Sequence, residues 1–303
     1  MPRVLVTGAA GFVAGHLAAR FAGAGHEPVL ADLVPPRPQP GMPDLSGYRF
    51  VALDVTDREA VAAALAELRP DGVAHAAGIV GPAASREDPG RTVAVNVIGT
   101  QHVLDAARAT GARVTLLSTA TIYGNDPSLR PLRETDPVDP VSLYDASKLM
   151  AETLLTAYKR TYGLAGCSVR FGFPYGPGQK IDQYFLPRAA DGQPIRETAG
   201  ADHPSDFTYI DDLTAGLVGA HTVANPRDVY NVTGGVLRTR GDFARAVMAA
   251  VPAADIELGP GPQPGRHLRG ACDIGRAGED FGYRPAFTVE TGVLDWARRI
   301  GVA

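Results

Sequence analysis

Tyr144 and Lys148 are the residues whose types and spacing most directly predict chemistry. They stand at positions i and i+4 of a run, Leu143–Tyr162, that has the pattern of a long helix, so both side chains leave one helix face. A neighbouring ammonium favours tyrosinate and is expected to lower the pKa of Tyr144. A phenol tuned in this way can act as a general base toward an alcohol or a general acid toward a ketone. Taken alone, such a pair is more often an ordinary surface pair.

A hydroxyl group is predicted near the same place. Thr119 follows the apolar run Arg113–Leu117, which has the pattern of a buried strand. Ligands of parallel sheets bind at the carboxyl ends of the strands. A hydroxyl of the segment 118–124, to which Thr119 belongs, can therefore hydrogen-bond the same substrate oxygen as Tyr144.

The segment 7–15, Thr-Gly-Ala-Ala-Gly-Phe-Val-Ala-Gly, lies between a predicted strand and a predicted helix. Gly8 and Gly11 allow a tight turn that brings backbone N–H groups close to a pyrophosphate, and a helix N-terminus favours an anion. Asp32 ends the second predicted strand, where a carboxylate binds the ribose 2′-OH and repels a 2′-phosphate. The sequence thus predicts a dinucleotide site that prefers NAD to NADP, with Arg37 as the residue that could reverse this preference.

Asp54 and Val55 follow the third predicted strand and suit contact with the adenine edge of a dinucleotide. A capping aspartate is the alternative interpretation of Asp54.

Short apolar runs alternate with helical patterns through the first half of the chain. The predicted strands are Arg3–Thr7, Pro28–Ala31, Arg49–Leu53, Gly72–His75, Arg113–Leu117 and Ala165–Arg170. The predicted helices are Phe12–Ala24, Asp57–Leu68 with Thr56 as its N-cap, Pro89–Thr110 and Leu143–Tyr162. This alternation predicts an α/β fold with a doubly wound parallel sheet of the Rossmann type, whose strands are apolar because both faces are covered.

The second half of the chain has fewer clear elements. Val229–Val232 is predicted to return to the sheet as a seventh strand, and Arg240–Val251 and Val289–Ile300 are predicted helices. We therefore predict a dinucleotide-binding domain at 1–172 and a smaller, mainly substrate-binding lobe at 173–303.

Composition excludes several classes of protein. The 303 residues carry a net charge of −4 and only two cysteines. A nucleic-acid or anionic membrane partner would normally require a basic excess, and no apolar run reaches the roughly 18 residues of a membrane span. Neither a disulfide framework nor a Cys/His metal site is indicated. We expect a cytoplasmic enzyme with no metal.

Together these motifs resemble the extended short-chain dehydrogenase/reductase family, the NAD-dependent epimerase/dehydratase group. The resemblance runs through nearly the whole chain. Besides the segments above, it rests on 75–78, 96–100, 118–124, 144–148, 170–178, 206–212 and 230–232.

The resemblance implies a Rossmann fold with bound NAD and a Thr119–Tyr144–Lys148 triad, in which threonine replaces the usual serine and keeps its donor and acceptor. Lys148 would also hold the nicotinamide ribose, and Asn96 would support the loop after the fourth strand. The implied cofactor-binding residues are Gly8, Ala10, Gly11, Phe12, Val13, Asp32, Leu33, Asp54, Val55, Ala76, Ala77, Gly78, Asn96, Tyr144, Lys148 and Phe171. The implied substrate-binding residues are Thr119, Thr121, Phe173 and Arg266. Many relatives form homodimers through two long helices, which here would be Pro89–Thr110 and Leu143–Tyr162.

The net reaction stays open at this point. Family dehydratases carry an Asp-Glu pair directly after the Ser/Thr, whereas this chain has Ala120-Thr121, which disfavours a 4,6-dehydratase. An NAD-dependent epimerase of a nucleotide sugar and a dehydrogenase or reductase of a smaller sugar, sugar acid or other secondary alcohol both remain. A non-catalytic cofactor-binding scaffold is a third hypothesis, disfavoured by the intact triad.

Substrate-binding positions depart from those of UDP-hexose epimerases. Phe173 stands where these relatives carry an asparagine, and Ser205 and Gln263 stand at the positions of diphosphate-binding arginines. Each loss removes a charge-assisted phosphate contact. Arg266 and Arg269 are candidate replacements, although solvated loop arginines are the commoner interpretation.

Overall fold

The computed structural model describes residues 1–179 and 185–303. The strands of these residues are β1 Arg3–Thr7, β2 Glu27–Asp32, β3 Phe50–Ala52, β4 Gly72–His75, β5 Arg113–Leu117, β6 Gly166–Arg170, β7 Pro174–Tyr175, β8 Ile195–Glu197, β9 Pro204–Ser205, β10 Thr208–Tyr209, β11 Val229–Asn231, β12 Arg238–Thr239 and β13 Ile256–Leu258. The α-helices are α1 Phe12–Gly23, α2 Arg58–Leu68, α3 Pro82–Glu87, α4 Pro89–Val93, α5 Thr100–Thr110, α6 Leu143–Tyr162, α7 Leu186–Ala190, α8 Ile210–Thr222, α9 Arg240–Ala250, α10 Gly275–Phe281 and α11 Val289–Arg299.

Within the described residues, seven strands form one sheet in the order β11-β6-β5-β4-β1-β2-β3, with every neighbouring pair parallel. Alternate strand residues enter two different cores. Val4 and Val6 contribute to the core that α1, α8, α9 and α11 share, whereas Leu5 contributes to the core under α2, α5 and α6. Helices therefore cover both faces, and the predicted doubly wound Rossmann fold is confirmed.

The predicted helix Pro89–Thr110 is not one regular α-helix. It consists of α4, a π-helical turn at Ala94–Gly99, and α5. The side chain of Thr100 donates to the carbonyl of Asn96 (2.7 Å) inside this turn. The wider π turn carries Asn96, and π turns of this kind occur frequently at functional sites.

Helix α6 is anchored to the sheet by a buried ion pair. Glu152, in the middle of α6, accepts from the Arg170 guanidinium at the end of β6, with contacts of 2.8–3.2 Å. Arg170 also donates to the Tyr123 hydroxyl (3.0 Å), which donates to Asn231 on β11 (2.8 Å). This network ties α6, and with it Tyr144 and Lys148, to the carboxyl ends of β5, β6 and β11.

No helix among the described residues combines the length and apolarity that a membrane crossing needs.

Candidate active site

The glycine turn joins β1 to α1 and packs against the loop after β4. Gly8 has a φ of +69°, and a Cβ there would lie 2.7 Å from the backbone nitrogen of Ala77. Only glycine allows this close approach. Gly11 is the N-cap residue of α1, and no side chain caps this helix. The first N–H groups of α1, at Phe12 and Val13, therefore remain available to an anion.

Asp32 lies beside this turn. Its carboxylate accepts from the backbone N–H of Ala10 (2.9 Å) and of Leu33 (2.7 Å), and so joins the end of β2 to the glycine turn.

Asp54 holds the turn after β3. One of its carboxylate oxygens accepts from both the N–H (2.9 Å) and the hydroxyl (2.7 Å) of Thr56, and these bonds lower the pKa of Asp54. Val55 next to it is buried. The predicted N-cap of α2 was wrong: Asp57, not Thr56, caps the helix by accepting from Ala60 N, because Thr56 is already engaged by Asp54.

The loop after β4 is held by Asn96. Its side-chain oxygen accepts from Ile79 N (2.8 Å) and its amide donates to Ile79 O (3.0 Å) and to the Ser147 hydroxyl (2.9 Å). Ala76 and Ala77 donate to the Thr7 hydroxyl, and a Cβ on Gly78 would meet Asn96 Oδ1 at 3.1 Å. The loop is thereby fixed both to β1 and to α6.

The turn after β5 meets the N-terminus of α6. Thr119 caps the short 3₁₀ helix Ala120–Tyr123, and Ala120 N donates to Phe171 O (2.8 Å) at the end of β6. The Thr119 hydroxyl lies within hydrogen-bonding reach of the Tyr144 phenol and 2.8 Å from the Thr121 hydroxyl. Residues predicted from two distant motifs are therefore brought together at the carboxyl edge of the sheet.

The expectation that Tyr144 has a lowered pKa was wrong for the protein alone. Although part of the side chain is exposed, its phenol is enclosed by protein, and this burial raises the pKa of Tyr144 to about 12. The negative charge of Asp145 acts in the same direction, whereas a hydrogen bond donated by Thr119 would act in the opposite one. Desolvation therefore has the largest effect on the pKa of Tyr144.

Lys148 lies one helical turn beyond Tyr144 and is 7% exposed. Burial lowers the pKa of Lys148 to about 8, and the negative charge of Glu152 partly opposes this. The same lysine charge adds to the burial that lowers the pKa of His75 to about 3. His75 bonds the hydroxyls of Thr7 (2.8 Å) and Thr100 (3.1 Å), as a neutral structural residue would.

Only some of the residues predicted to bind substrate are brought together in the structure. Phe173 follows β6 with a φ of +44°, and its ring is 6.2 Å from that of Phe207. Ser205 is buried in β9, paired with Arg238. Arg266 is exposed to solvent.

The interpretation of Arg269 as a solvated loop arginine was wrong. It is half-buried and its Nε donates to Gly124 O (3.2 Å), at the end of the turn that carries Thr119. Burial lowers the pKa of Arg269, and the nearby charge of Asp145 opposes this. In the described part of the chain, neither Arg266 nor Arg269 forms an ion pair with an acidic residue.

His203 lies in a cluster with Arg240, Arg266 and Arg269. It is 3% exposed, and within the described ranges its Nδ1 has no hydrogen-bond partner. Burial lowers the pKa of His203 to about 4, and the charges of Arg240, Arg266 and Arg269 act in the same direction. Because Arg240 is already paired with Glu197 (2.8 and 2.9 Å), the uncompensated charge of the cluster lies on Arg266 and Arg269.

Comparison with known proteins shows the family. The model of the NAD dependent epimerase/dehydratase family matches residues 4–233. The chain belongs to this family.

Individual relatives divide between reactions. The chain is 30% identical over 302 residues to a UDP-glucose 4-epimerase of Mycolicibacterium smegmatis, covering 96% of each chain. It is 31% identical over 312 residues to a dTDP-glucose 4,6-dehydratase of Streptomyces antibioticus, covering 97% of this chain and 92% of the relative. The structure of a Thermus thermophilus UDP-glucose 4-epimerase in complex with NAD superimposes with a TM-score of 0.86 at 30% identity, covering 99% of this chain and all of that one.

As a member of the family the protein is an NAD-dependent enzyme. The residues present fit that cofactor. The turn at Gly8 has no room for a side chain, the N-terminus of α1 lacks a side-chain cap, and Asp32 places a carboxylate beside both. These are the features that a pyrophosphate and a ribose with a free 2′-OH require.

Sequence reasoning assigned no role to Asp145 and misjudged the surroundings of Arg269. Asp145 directly follows Tyr144, yet only the fold shows that its side chain reaches Thr121. Arg269 is 145 positions away from Gly124 in the chain.

Proposed function

We propose that the protein is an NAD-dependent 4-epimerase of a nucleotide sugar. The observation that carries the proposal is the meeting of Thr119 with Tyr144, one helical turn from the buried Lys148, with hydroxyl groups and no acidic side chain in the turn that carries Thr119. Such a set can move one proton on and off a secondary hydroxyl. Similarity to two UDP-glucose 4-epimerases supports the same reaction.

Each residue has a role in this proposal. NAD, when bound, supplies the hydride acceptor and donor, and in its oxidised form a positive charge that favours the tyrosinate. Tyr144 takes the proton of the sugar hydroxyl and later returns it, and Thr119 orients that hydroxyl. Lys148 holds the cofactor ribose, and its positive charge favours the tyrosinate.

A dehydration is disfavoured because it needs a proton transfer at a neighbouring carbon. Dehydratases that resemble this chain carry an Asp-Glu pair where Ala120 and Thr121 stand. The Ala120 side chain has no polar group, and the Thr121 hydroxyl donates a hydrogen bond to Asp145.

The charge of the substrate lobe supports an anionic substrate. Arg266 and Arg269 lie close enough to His203 to lower its pKa, and Arg269 also contacts the turn that carries Thr119. We propose that these two cations hold the diphosphate of the nucleotide sugar in place of the arginines absent at Ser205 and Gln263. Arginine suits this role because its guanidinium pairs with phosphate oxygens in two parallel bonds.

The first test combines a product assay with a cofactor census. Purified protein incubated with UDP-glucose is expected to yield UDP-galactose, followed by NMR, and to release close to one NAD(H) per chain when denatured. Tyr144→Phe is expected to retain the cofactor without turnover. An empty protein that binds added cofactor reversibly and accumulates NADH with a small sugar would favour a dehydrogenase instead. Turnover that is unchanged in Tyr144→Phe would contradict the assigned base.

The cation assignment has its own test. Arg269→Ala is expected to raise the KM for the nucleotide sugar at least tenfold, about 1.4 kcal/mol of lost binding. Arg58→Ala, at an exposed arginine of α2, is the matched control and should leave KM unchanged. Equal KM values for both variants would remove Arg269 from the substrate site.

We further propose a homodimer that packs the helical segment 89–110 and α6 of each copy together. Ile98, Met150 and Tyr162 are each at least 40% exposed on these helices, which supports burial against a partner. Light scattering coupled to size-exclusion chromatography should give twice the 31.7 kDa mass, and Met150→Glu should give the monomer mass. A wild-type protein that elutes at the monomer mass would contradict the dimer.

A further inference from the structure

A buried chain of hydroxyl groups leads from Tyr144 to the carboxylate of Asp145. The Thr119 hydroxyl, within reach of the phenol, is 2.8 Å from the Thr121 hydroxyl. Thr121 donates to Asp145 Oδ1, and Ser142 donates to Asp145 Oδ2 (2.6 Å). Asp145 is 2% exposed and Thr119 is 6% exposed, so little water competes with these bonds.

The protons along this chain can be counted. A carboxylate only accepts hydrogen bonds, so the Thr121 proton is committed to Asp145. The Thr121 oxygen can then only accept from Thr119, which commits the single Thr119 proton in turn. Thr119 also accepts from Thr121 N (3.2 Å). With its proton committed, the Thr119 hydroxyl can accept from the Tyr144 phenol but cannot donate to it.

This direction matters because the two forms of Tyr144 need opposite partners. A tyrosinate is stabilised by a donor, whereas a protonated phenol is stabilised by an acceptor. The charge of Asp145 also disfavours a second negative charge beside it. Both effects act in the same direction.

We propose that Asp145 is a positioning residue that fixes the direction of the Thr119 hydroxyl through Thr121 and thereby holds Tyr144 in its protonated form. Asp145 consequently sets the pH above which Tyr144 can act as a base. The role in catalysis rests on the proposed function, whereas the effect on the phenol itself does not.

Two positively charged side chains also lie near Asp145 or Tyr144. Arg269 faces Asp145 from the segment after β13 without forming an ion pair, and Lys148 lies on α6 itself. Both are positive and would favour tyrosinate. Removal of the Asp145 charge leaves these two cations in place, so the change in Tyr144 has an unambiguous sign.

The test compares variants that change the chain of hydroxyl groups in different ways. Asp145→Asn removes the charge and allows the hydroxyls to reverse, whereas Thr121→Val keeps the charge but frees the Thr119 proton. Thr121→Ser keeps the hydroxyl and should restore wild-type behaviour. Ser142→Ala is the matched control, because it removes the other partner of Asp145 and the N-cap of α6 but leaves the path to Tyr144 intact.

The first readout needs no substrate. The ultraviolet absorbance of tyrosinate is followed against pH, and the titration of the corresponding Tyr144→Phe protein is subtracted. We expect the Tyr144 midpoint to fall by at least one pH unit in Asp145→Asn and by less in Thr121→Val. It should stay at the wild-type value in Thr121→Ser and in Ser142→Ala.

The second readout is the pH profile of kcat. The low-pH limb should move in the same order as the absorbance midpoints, while in Asp145→Asn the KM and the NAD affinity stay within about threefold of wild type, a change worth less than 1 kcal/mol. Midpoints that do not move in Asp145→Asn, or that move equally in Ser142→Ala, would overturn the proposal and leave Asp145 as a helix-capping residue. A lowered midpoint in a protein without epimerase activity would preserve the inference and refute the proposed function alone.

Discussion

The buried pair of Glu152 and Arg170 offers a direct test of how α6 is held. The two side chains are 4% and 6% exposed, and Glu152 Oε2 lies 2.8 Å from the guanidinium. Glu152→Gln leaves the Arg170 charge buried without an opposite charge. Breaking a buried pair in this way costs about 3–5 kcal/mol. Because glutamine keeps one acceptor oxygen, we expect the lower end, about 3 kcal/mol.

The assay is urea unfolding at neutral pH, with the slope m checked for equality between variants. A loss of about 3 kcal/mol is roughly a hundredfold change in the unfolding equilibrium and lowers Tm by about 6–12 °C. The matched control is Glu67→Gln at the pair of Glu67 with Arg49. That pair is shorter, at 2.6 Å, but its side chains are 72% and 51% exposed. It should cost at most about 1 kcal/mol.

A second comparison separates charge burial from lost packing. The double variant Glu152→Leu with Arg170→Met removes both charges, and should be less destabilising than Glu152→Gln alone, because no uncompensated charge remains. The reasoning is refuted if Glu152→Gln costs no more than Glu67→Gln, or if the double variant is the least stable of the three.

Three further predictions concern the cofactor site and pH. Gly8→Ala should weaken NAD binding at least tenfold in calorimetry, whereas Gly23→Ala, whose Cβ would meet nothing within 4 Å, should not; equal affinities would refute the close-approach argument. Asp32→Asn should reduce the preference for NAD over NADP at least tenfold, and an unchanged ratio of dissociation constants would remove Asp32 from the ribose. Burial lowers the pKa of His221 to about 3, whereas an exposed histidine in the unfolded chain has a pKa of about 6.5. Between these two pH values the folded state binds fewer protons than the unfolded state, so stability falls as pH falls through that window. Urea unfolding should show a cost of about 2 kcal/mol at pH 5 relative to pH 7.5 from this group, and a pH dependence that is unchanged in His221→Gln would contradict it.

The sheet could be predicted from sequence because its signals are local. Apolar runs such as Gly72–His75 and Arg113–Leu117 are bounded by turn residues, and both are strands with the predicted limits. The π turn at Ala94–Gly99 could not be predicted, because it shares the apolar periodicity of an α-helix. The short strands β7 to β10 are two or three residues long, which is too short for a periodic pattern to develop.

The candidate site also has residues that the sequence predicts and properties that it does not predict. Gly8, Asp32, Tyr144 and Lys148 could be found because each belongs to a motif with fixed spacing. The burial that raises the pKa of Tyr144 could not, because it depends on the tertiary packing around the phenol.

Arg269 was misjudged for a related reason. Its contact with Gly124 joins segments that are far apart in the chain, and composition alone predicts exposure for an arginine. Long-range contacts made by single side chains therefore mark the limit of the sequence analysis.

The most direct test of the central claim follows the hydrogen at C4 of the sugar. UDP-glucose carrying deuterium at C4 is incubated with the purified protein, and the products are examined by NMR and mass spectrometry. We predict UDP-galactose that retains the deuterium at C4, because the hydride removed by the bound cofactor returns to the same carbon. Deuterium at C6 of a dehydrated sugar, deuterium in free NADH, or no conversion of the nucleotide sugar would contradict the account.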